Sequence, residues 1–323
     1  MTNALVVAGG ALADAAFGDP VWLPHPVRAM GAACTAGERA ARAWTRDDPR
    51  REFIAGGALT FAIVAGSAAT ARAVLAAAAR LHPRARVALA LALAWTTLAA
   101  RDLIAESGAV LAALEADDLP RARVRLARIV GRDTADLDAS EIARATIETL
   151  AESACDGIVA PLCALAVGGV PLAFAFKASN TLDSMIGHRE APYTFFGRVA
   201  ARLDDVAAFV PARVTALAFC ATTPRDARRA WTTWHRDGAR HASPNAGQSE
   251  AALAGRLGVR LGGTNRYAGV PYEAPVLGAE FPAPQAADVR RARRAVVVAT
   301  VACALACTAV RAACDARDAR DGR

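Results

Sequence analysis

The chain has 323 residues, 54% of them apolar and only 6% aromatic, with a mean hydropathy of +0.23, which is too apolar for an ordinary soluble enzyme. Alanine supplies much of the apolar content, so the length of uncharged runs is a safer guide than hydropathy alone. The formal charge of +7 comes from arginines grouped around residues 39–51, 72–86, 121–132 and 290–294, between the apolar windows. That pattern suits loops facing anionic lipid and argues against a nucleic-acid partner.

In chain order, residues 1–13 are apolar but lack a basic leader and run into Asp14 and Asp19, so they do not read as a cleavable signal peptide. Residues 53–71 hold nineteen residues without a charge and residues 157–176 hold twenty, each about 30 Å as a helix rising ~1.5 Å per residue. Residues 87–100 and 295–310 are shorter uncharged runs, and 206–221 is interrupted only by Arg213. These five segments predict one all-α, polytopic membrane domain with helical polar loops, in preference to a soluble bundle of alanine-rich core helices.

Between the second and third segments, Asp138 followed by Glu141 reads as an N-cap with its capping partner, opening a helix through about Ala151. Glu141, Glu148 and Glu152 then share one side of that helix, and Asp156 extends the stripe if the helix continues. Two readings stand: a solvated acidic face paired with Arg144, or a divalent-metal site. The 157–176 segment contains Pro161 and a Gly168-Gly169-Val170-Pro171 break, which leaves arms of about ten residues, too short to cross singly. A broken or re-entrant helix is the expectation, since interrupted backbone at membrane depth is tolerated only against protein or a polar cavity.

Seven cysteines form no C-x-x-C pair and read as buried reduced thiols, and the five histidines show no zinc spacing, so any metal should be oxygen-bound. Lys177 is the only lysine in a chain that otherwise uses arginine, and it opens a polar run through Ser179, Asn180, Thr181, Asp183 and Ser184. A compact ammonium on a flexible stem suits a phosphate or carboxylate oxygen in a tight site better than a planar fork. Apart from Asn3, the asparagines are Asn180, Asn245 and Asn265, each in a polar cluster. Further clusters combine Gly18-Asp19-Pro20 with His25-Pro26-Val27-Arg28, Gly131-Arg132-Asp133-Thr134, Leu203-Asp204-Asp205 with Pro211-Ala212-Arg213, and Arg236-Asp237 with Ser243-Pro244-Asn245-Ala246-Gly247. Carboxylates for Mg²⁺ and cations for phosphate oxygens are what phosphoryl chemistry needs, although no Walker A or dinucleotide fingerprint is present. The residues by themselves imply a membrane-embedded phosphate or nucleotide site.

The wording and order of these clusters, from about Asp14 to Gly278, resemble the cobinamide-phosphate synthase family (CobD/CbiB). Its most specific stretch is Lys177-Ala178-Ser179-Asn180-Thr181-Leu182-Asp183-Ser184-Met185, followed by Phe196-Gly197 and Leu203-Asp204-Asp205. Glu152-Ser153, Asp156-Gly157, Ala160-Pro161, Glu250-Ala251-Ala252 and Leu261-Gly262-Gly263 complete it. The chain departs from the family pattern near Ala208 and near Ser153, where asparagines are expected.

The resemblance implies an enzyme, adenosylcobinamide-phosphate synthase, that uses ATP to join adenosylcobyric acid to 1-amino-2-propanol or its phosphate. It places the chain in the bacterial inner membrane with its active site facing the cytoplasm, among lipid and other cobalamin-pathway enzymes. On that expectation Lys177, Asn180, Asp183 and Arg132 are catalytic. Arg28, His25, Arg213, Arg236, Ser243 and Asn245 bind substrate and phosphate, and Asp19, Asp133, Asp204, Asp205, Glu148 and Glu152 carry Mg²⁺. A polytopic transporter of an anionic or corrinoid solute is the alternative; it predicts internal symmetry between halves, which the sequence lacks.

Overall fold

The computed structural model describes residues 3–20 and 22–321. They group into two compact units: Met1–Ala99 with Ala160–Ala208 and Ala304–Arg323, and Ala100–Val159 with Phe209–Cys303.

The first unit is built from α1 (Asn3–Phe17), α2 (Pro26–Thr45), α3 (Pro49–Leu81) and α4 (Pro83–Trp95), and from α8 (Ala160–Ile186), α9 (Arg198–Ala207) and the C-terminal part of α13 (Ala286–Arg320). Three helix starts share one device: a proline at the first position, where its missing N–H costs nothing, preceded by a side chain that caps the first turn. His25 caps α2, Asp48 caps α3 and His82 caps α4. α3 packs against α2, α4, α8 and α9. Gly56 of α3 lies so close to the 196–197 backbone that a Cβ there would collide with the Phe196 carbonyl. Phe196 itself is buried with Cys34, Leu182, Ile186 and Ala200 in one apolar cluster.

The second unit contains α5 (Ala100–Glu115), α6 (Leu119–Leu126), α7 (Ala139–Ala154), a π-helical turn (Cys155–Val159), α10 (Phe209–Ala221), α11 (Ala227–Asp237), α12 (Ala246–Leu257) and the start of α13. Asp138 and Glu141 form the expected capping box on α7. Val110, Ala122, Leu126, Ile142 and Ala145 form the core where α5, α6 and α7 meet. A hairpin of β1 (Leu261–Tyr267) and β2 (Val270–Leu277) is antiparallel, with Tyr267 opposite Val270. Its two-residue loop, Ala268-Gly269, has positive φ at both positions, 50° and 80°, the handedness that matches strand twist.

Four helical stretches among the described residues are long and apolar enough to cross a membrane: Pro49–Leu81, Pro83–Glu115, Ala139–Ile186 and Ala286–Arg320. Their outward surfaces are apolar, with Phe53, Ile54 and Phe61 exposed on α3 and Val297, Val301 and Leu305 on α13. Such rows belong against hydrocarbon rather than water, and the chain is a polytopic all-α membrane protein.

Several boundaries differ from the sequence reading. The 87–100 segment is two pieces, because α4 ends at Trp95 and a turn precedes α5; Thr96 and Thr97 bond back to carbonyls of the helix they leave. The 206–221 segment is likewise divided at Ala208, between α9 and α10. The break in 157–176 is present: Gly169, with φ 66° and ψ −161°, is non-helical inside α8, and Pro171 follows it. Its arms are longer than ten residues, because α7 runs through the π turn into α8 and the second arm continues to Ile186. The hairpin has no strand signal in the sequence, since Leu261-Gly262-Gly263 carries two glycines where such a signal needs side chains.

Candidate functional site

In the second unit the Gly131-Arg132-Asp133-Thr134 cluster, α7 and the hairpin meet through charged hydrogen bonds. Arg132 donates to Asn265 Oδ1 and Glu148 Oε2, both at 2.6 Å. Glu148 also accepts from Arg144 at 3.2 Å and from the Gly262 N–H at 2.8 Å. Arg144 donates to the Gly262 and Thr264 carbonyls, each at 2.9 Å. The Asp133 carboxylate takes the two N–H groups of the hairpin loop, Gly269 at 2.7 Å and Ala268 at 3.2 Å, and so holds its left-handed turn. Glu148 is therefore neither a solvated acid nor an open metal ligand: it is 6% exposed and bound by two guanidinium groups.

Beside this network stands Glu250 of α12, 6% exposed. Burial pushes its carboxyl well above the ordinary range, and the neighbouring Glu148 and Glu152 push it further, while Arg132 and Arg144 act in the opposite direction. Glu152 is exposed, and Asp156 falls in the π turn, which inserts a residue into the helical repeat and takes it off the expected stripe.

The other predicted residues of this unit form two smaller sets. Arg213 of α10 lies over the Phe209 ring at 3.6 Å and donates to Asn245 Oδ1 at 2.9 Å. Ser243 Oγ accepts the N–H groups of Asn245 and Ala246 at 3.3 and 3.2 Å, which caps the entry to α12. Arg236 has its donors committed to carboxylates, to Asp237 at 2.7 and 2.9 Å and to Glu280 at 2.8 and 3.0 Å. Asp237, fully buried, also takes the Gly278 N–H at 2.8 Å, so Arg236 anchors the end of β2 rather than offering an open fork.

In the first unit, His25 Nδ1 accepts the Val27 N–H, which leaves the ring proton on Nε2, 3.3 Å from Asp19 Oδ1. Arg28 donates to the Leu23 carbonyl at 2.9 Å. On α8, Lys177, Asn180 and Asp183 follow at three-residue steps and are all half-buried, so they share a face. Thr181 and Ser184 return their hydroxyls to the carbonyls of Lys177 and Asn180. Ser179 is buried with no partner for its hydroxyl among the described residues. Asp204 of α9 is buried and Asp205 pairs with Arg202 at 3.3 Å.

No group of three or more His, Cys, Asp or Glu side chains among the described residues is arranged to hold a metal ion. A cage made wholly of protein ligands does not fit. A Mg²⁺ that arrives on phosphate oxygens needs only one or two carboxylates; Glu148 and Asp133 are engaged with arginines and loop N–H groups, and Asp205 with Arg202 in an ion pair that is partly exposed. Glu250 and Asn265 have no assigned role in the expected site, and Arg144 enters it only as a pairing partner for the acidic face. A signal existed in Asn265, one of the few asparagines, and in Glu250, an acid in an alanine-rich helix.

The profile of the family described as CobD/Cbib protein matches residues 7–296. The Cobalamin biosynthesis protein CobD of Geobacter metallireducens is 46% identical over 283 residues, 86% of this chain and 87% of that protein. The protein of the same name from Klebsiella pneumoniae is 42% identical over 290 residues, 89% and 91% of the two chains. The Cobalamin biosynthesis protein CbiB of Salmonella typhimurium is 40% identical over 294 residues, again 89% and 91%. No solved structure matches the chain.

Proposed function

The chain belongs to the CobD/CbiB family, and on that premise we propose that it serves cobalamin biosynthesis as a membrane-bound ligase. Its reaction is the ATP-dependent joining of adenosylcobyric acid to 1-amino-2-propanol or its phosphate, at the cytoplasmic face of the inner membrane. The observation that carries the reading is the match to relatives named for cobalamin biosynthesis over nearly nine-tenths of the chain.

A carboxylate is a poor acyl donor, and ATP supplies the activation by placing a phosphoryl group on the propionate oxygen with loss of ADP. The amine nitrogen then bonds the acyl carbon, phosphate leaves with the bonding pair, and the amine gives up a proton. What the protein contributes is orientation and charge. In the first unit the Lys177 ammonium provides a point charge for a phosphate oxygen, with Asn180 and Asp183 on the same helix face fixing the polar groups beside it. His25 and Arg28 present further donors, and Asp204 and Asp205 offer oxygens for Mg²⁺, with Asp19. In the second unit Arg132 is positioned by Glu148, and Arg213 by Asn245, to meet anionic substrate groups.

The test is ADP and phosphate release by the detergent-purified protein given Mg-ATP and adenosylcobyric acid, with and without aminopropanol phosphate. Release that needs both substrates, with a corrinoid product heavier by the aminopropanol unit, supports the ligase. Lys177→Arg should lower kcat by about a hundredfold, because a broad planar fork replaces the compact ammonium and misplaces the charge at the reacting group. Folded protein that shows no turnover with either amine overturns the ligase reading and leaves a transporter or a non-catalytic scaffold.

A further inference from the structure

Three arginines outside the proposed catalytic set converge on one cavity of the first unit. The cavity, about 450 Å³, is lined by Arg72 of α3, Arg86 of α4, Arg311 of α13, Asn3 of α1 and the Gly168-Gly169 break of α8. Each arginine adjoins an uncharged window: Arg72 follows 53–71, Arg86 precedes 87–100 and Arg311 follows 295–310. Nineteen helical residues rise about 28 Å, close to the ~30 Å of a hydrocarbon core. All three guanidinium groups therefore stand where hydrocarbon gives way to lipid headgroups.

The charges around the cavity do not cancel. Arg311 donates to Asp315 at 2.9 Å, to Asp318 at 3.3 Å and to the Ala166 carbonyl at 3.5 Å. Arg72 and Arg86 are exposed and make no ion pair with any described residue. Two aspartates thus face three arginines. The wall between them is the non-helical Gly169, after which α8 restarts, and the first N–H groups of a restarted helix have no carbonyl one turn back. Leu75, Val87 and Leu165 supply an apolar lining beside these donors.

We propose that this cavity binds a phosphate oxyanion, and that its depth makes the headgroup of an anionic phospholipid the occupant. Arg72 and Arg86 carry the charge recognition, and the apolar wall takes the start of an acyl chain. Arg311 lies beyond the 7–296 stretch that matches the family, and the site stands whether or not the ligase reading holds.

The full chain in neutral detergent, titrated with phosphatidylglycerol or phosphatidylcholine and read by native mass spectrometry, tests this. Wild type should retain phosphatidylglycerol at least about tenfold more tightly, a factor worth 1.4 kcal/mol. The R72Q/R86Q pair should lose that preference, and R39Q/R50Q, exposed arginines removed elsewhere in the unit, should keep it. Inorganic phosphate that raises the melting temperature of wild type but not of R72Q/R86Q, with no preference between lipids, keeps the oxyanion site and overturns the lipid occupant. Equal retention by wild type and R72Q/R86Q, or an equal loss in the control pair, overturns the site. If the pair melts early without lipid, the single variants R72Q and R86Q decide by the same criteria.

Discussion

Glu148 illustrates how a residue identified from spacing acquires its role from neighbours far away in the chain. Its two oxygens receive Arg132, Arg144 and the Gly262 N–H; the first and last tie α7 to the 131–134 loop and to β1, while Arg144 stands one turn back on α7 itself. Glu148→Ala leaves two guanidinium groups nearly buried without their acid, a loss of about 3 kcal/mol. Thermal unfolding in detergent should show a clearly lower melting temperature, with Glu148→Gln intermediate. Glu250 predicts a pH dependence opposite in sign to that of an ion-paired acid. Its carboxyl in the folded chain titrates above the ordinary 4.5 because burial, reinforced by Glu148 and Glu152, disfavours the anion. The stability it contributes is complete below 4.5 and is lost as pH rises through the folded value. Melting temperature should fall with rising pH across that window in wild type and flatten in Glu250→Gln, which should be the more stable at the alkaline end.

At the scale of the element, the broken helix α8 and the close approach of α3 make separable predictions. Gly169 has a backbone conformation open almost only to glycine, yet the nearest atom to an added Cβ is 3.9 Å away. Gly169→Ala should therefore cost about 1–3 kcal/mol through conformation alone. Gly56→Ala instead drives a methyl into the Phe196 carbonyl, whereas Gly66→Ala in the same helix meets nothing within 4 Å. Gly56→Ala should lower the melting temperature and Gly66→Ala should raise or keep it, since alanine is the better helix former by about 1 kcal/mol. Elements with strong local signals, such as the capping box on α7, were legible in the sequence because cap and partner lie three residues apart. The split of 87–100 was not, because Thr96 and Thr97 close the helix with bonds that many helix interiors also contain.

For the whole molecule, exposed apolar surface has two meanings that substitution separates. Phe61 is 62% exposed at the middle of the uncharged part of α3, and Val270 is 65% exposed at the hairpin loop. Phe61→Arg should reduce the membrane-inserted fraction, an arginine at a helix centre costing about 3 kcal/mol on insertion. Val270→Arg should leave it unchanged; the two are compared by extraction of membranes with carbonate. The sequence by itself determined that the chain is a polytopic helical membrane protein, where α8 breaks, and which family its ordered clusters join. These follow from runs, caps and glycine-proline breaks, which act over a few neighbouring residues. Only the tertiary structure decided that Glu148 and Asp133 serve arginines and a hairpin loop, that Arg236 anchors Asp237, and that Glu250 is buried among acids. Those outcomes depend on which distant segments share a hydrogen bond and on how much water is excluded around it, and neither is a function of spacing along the chain.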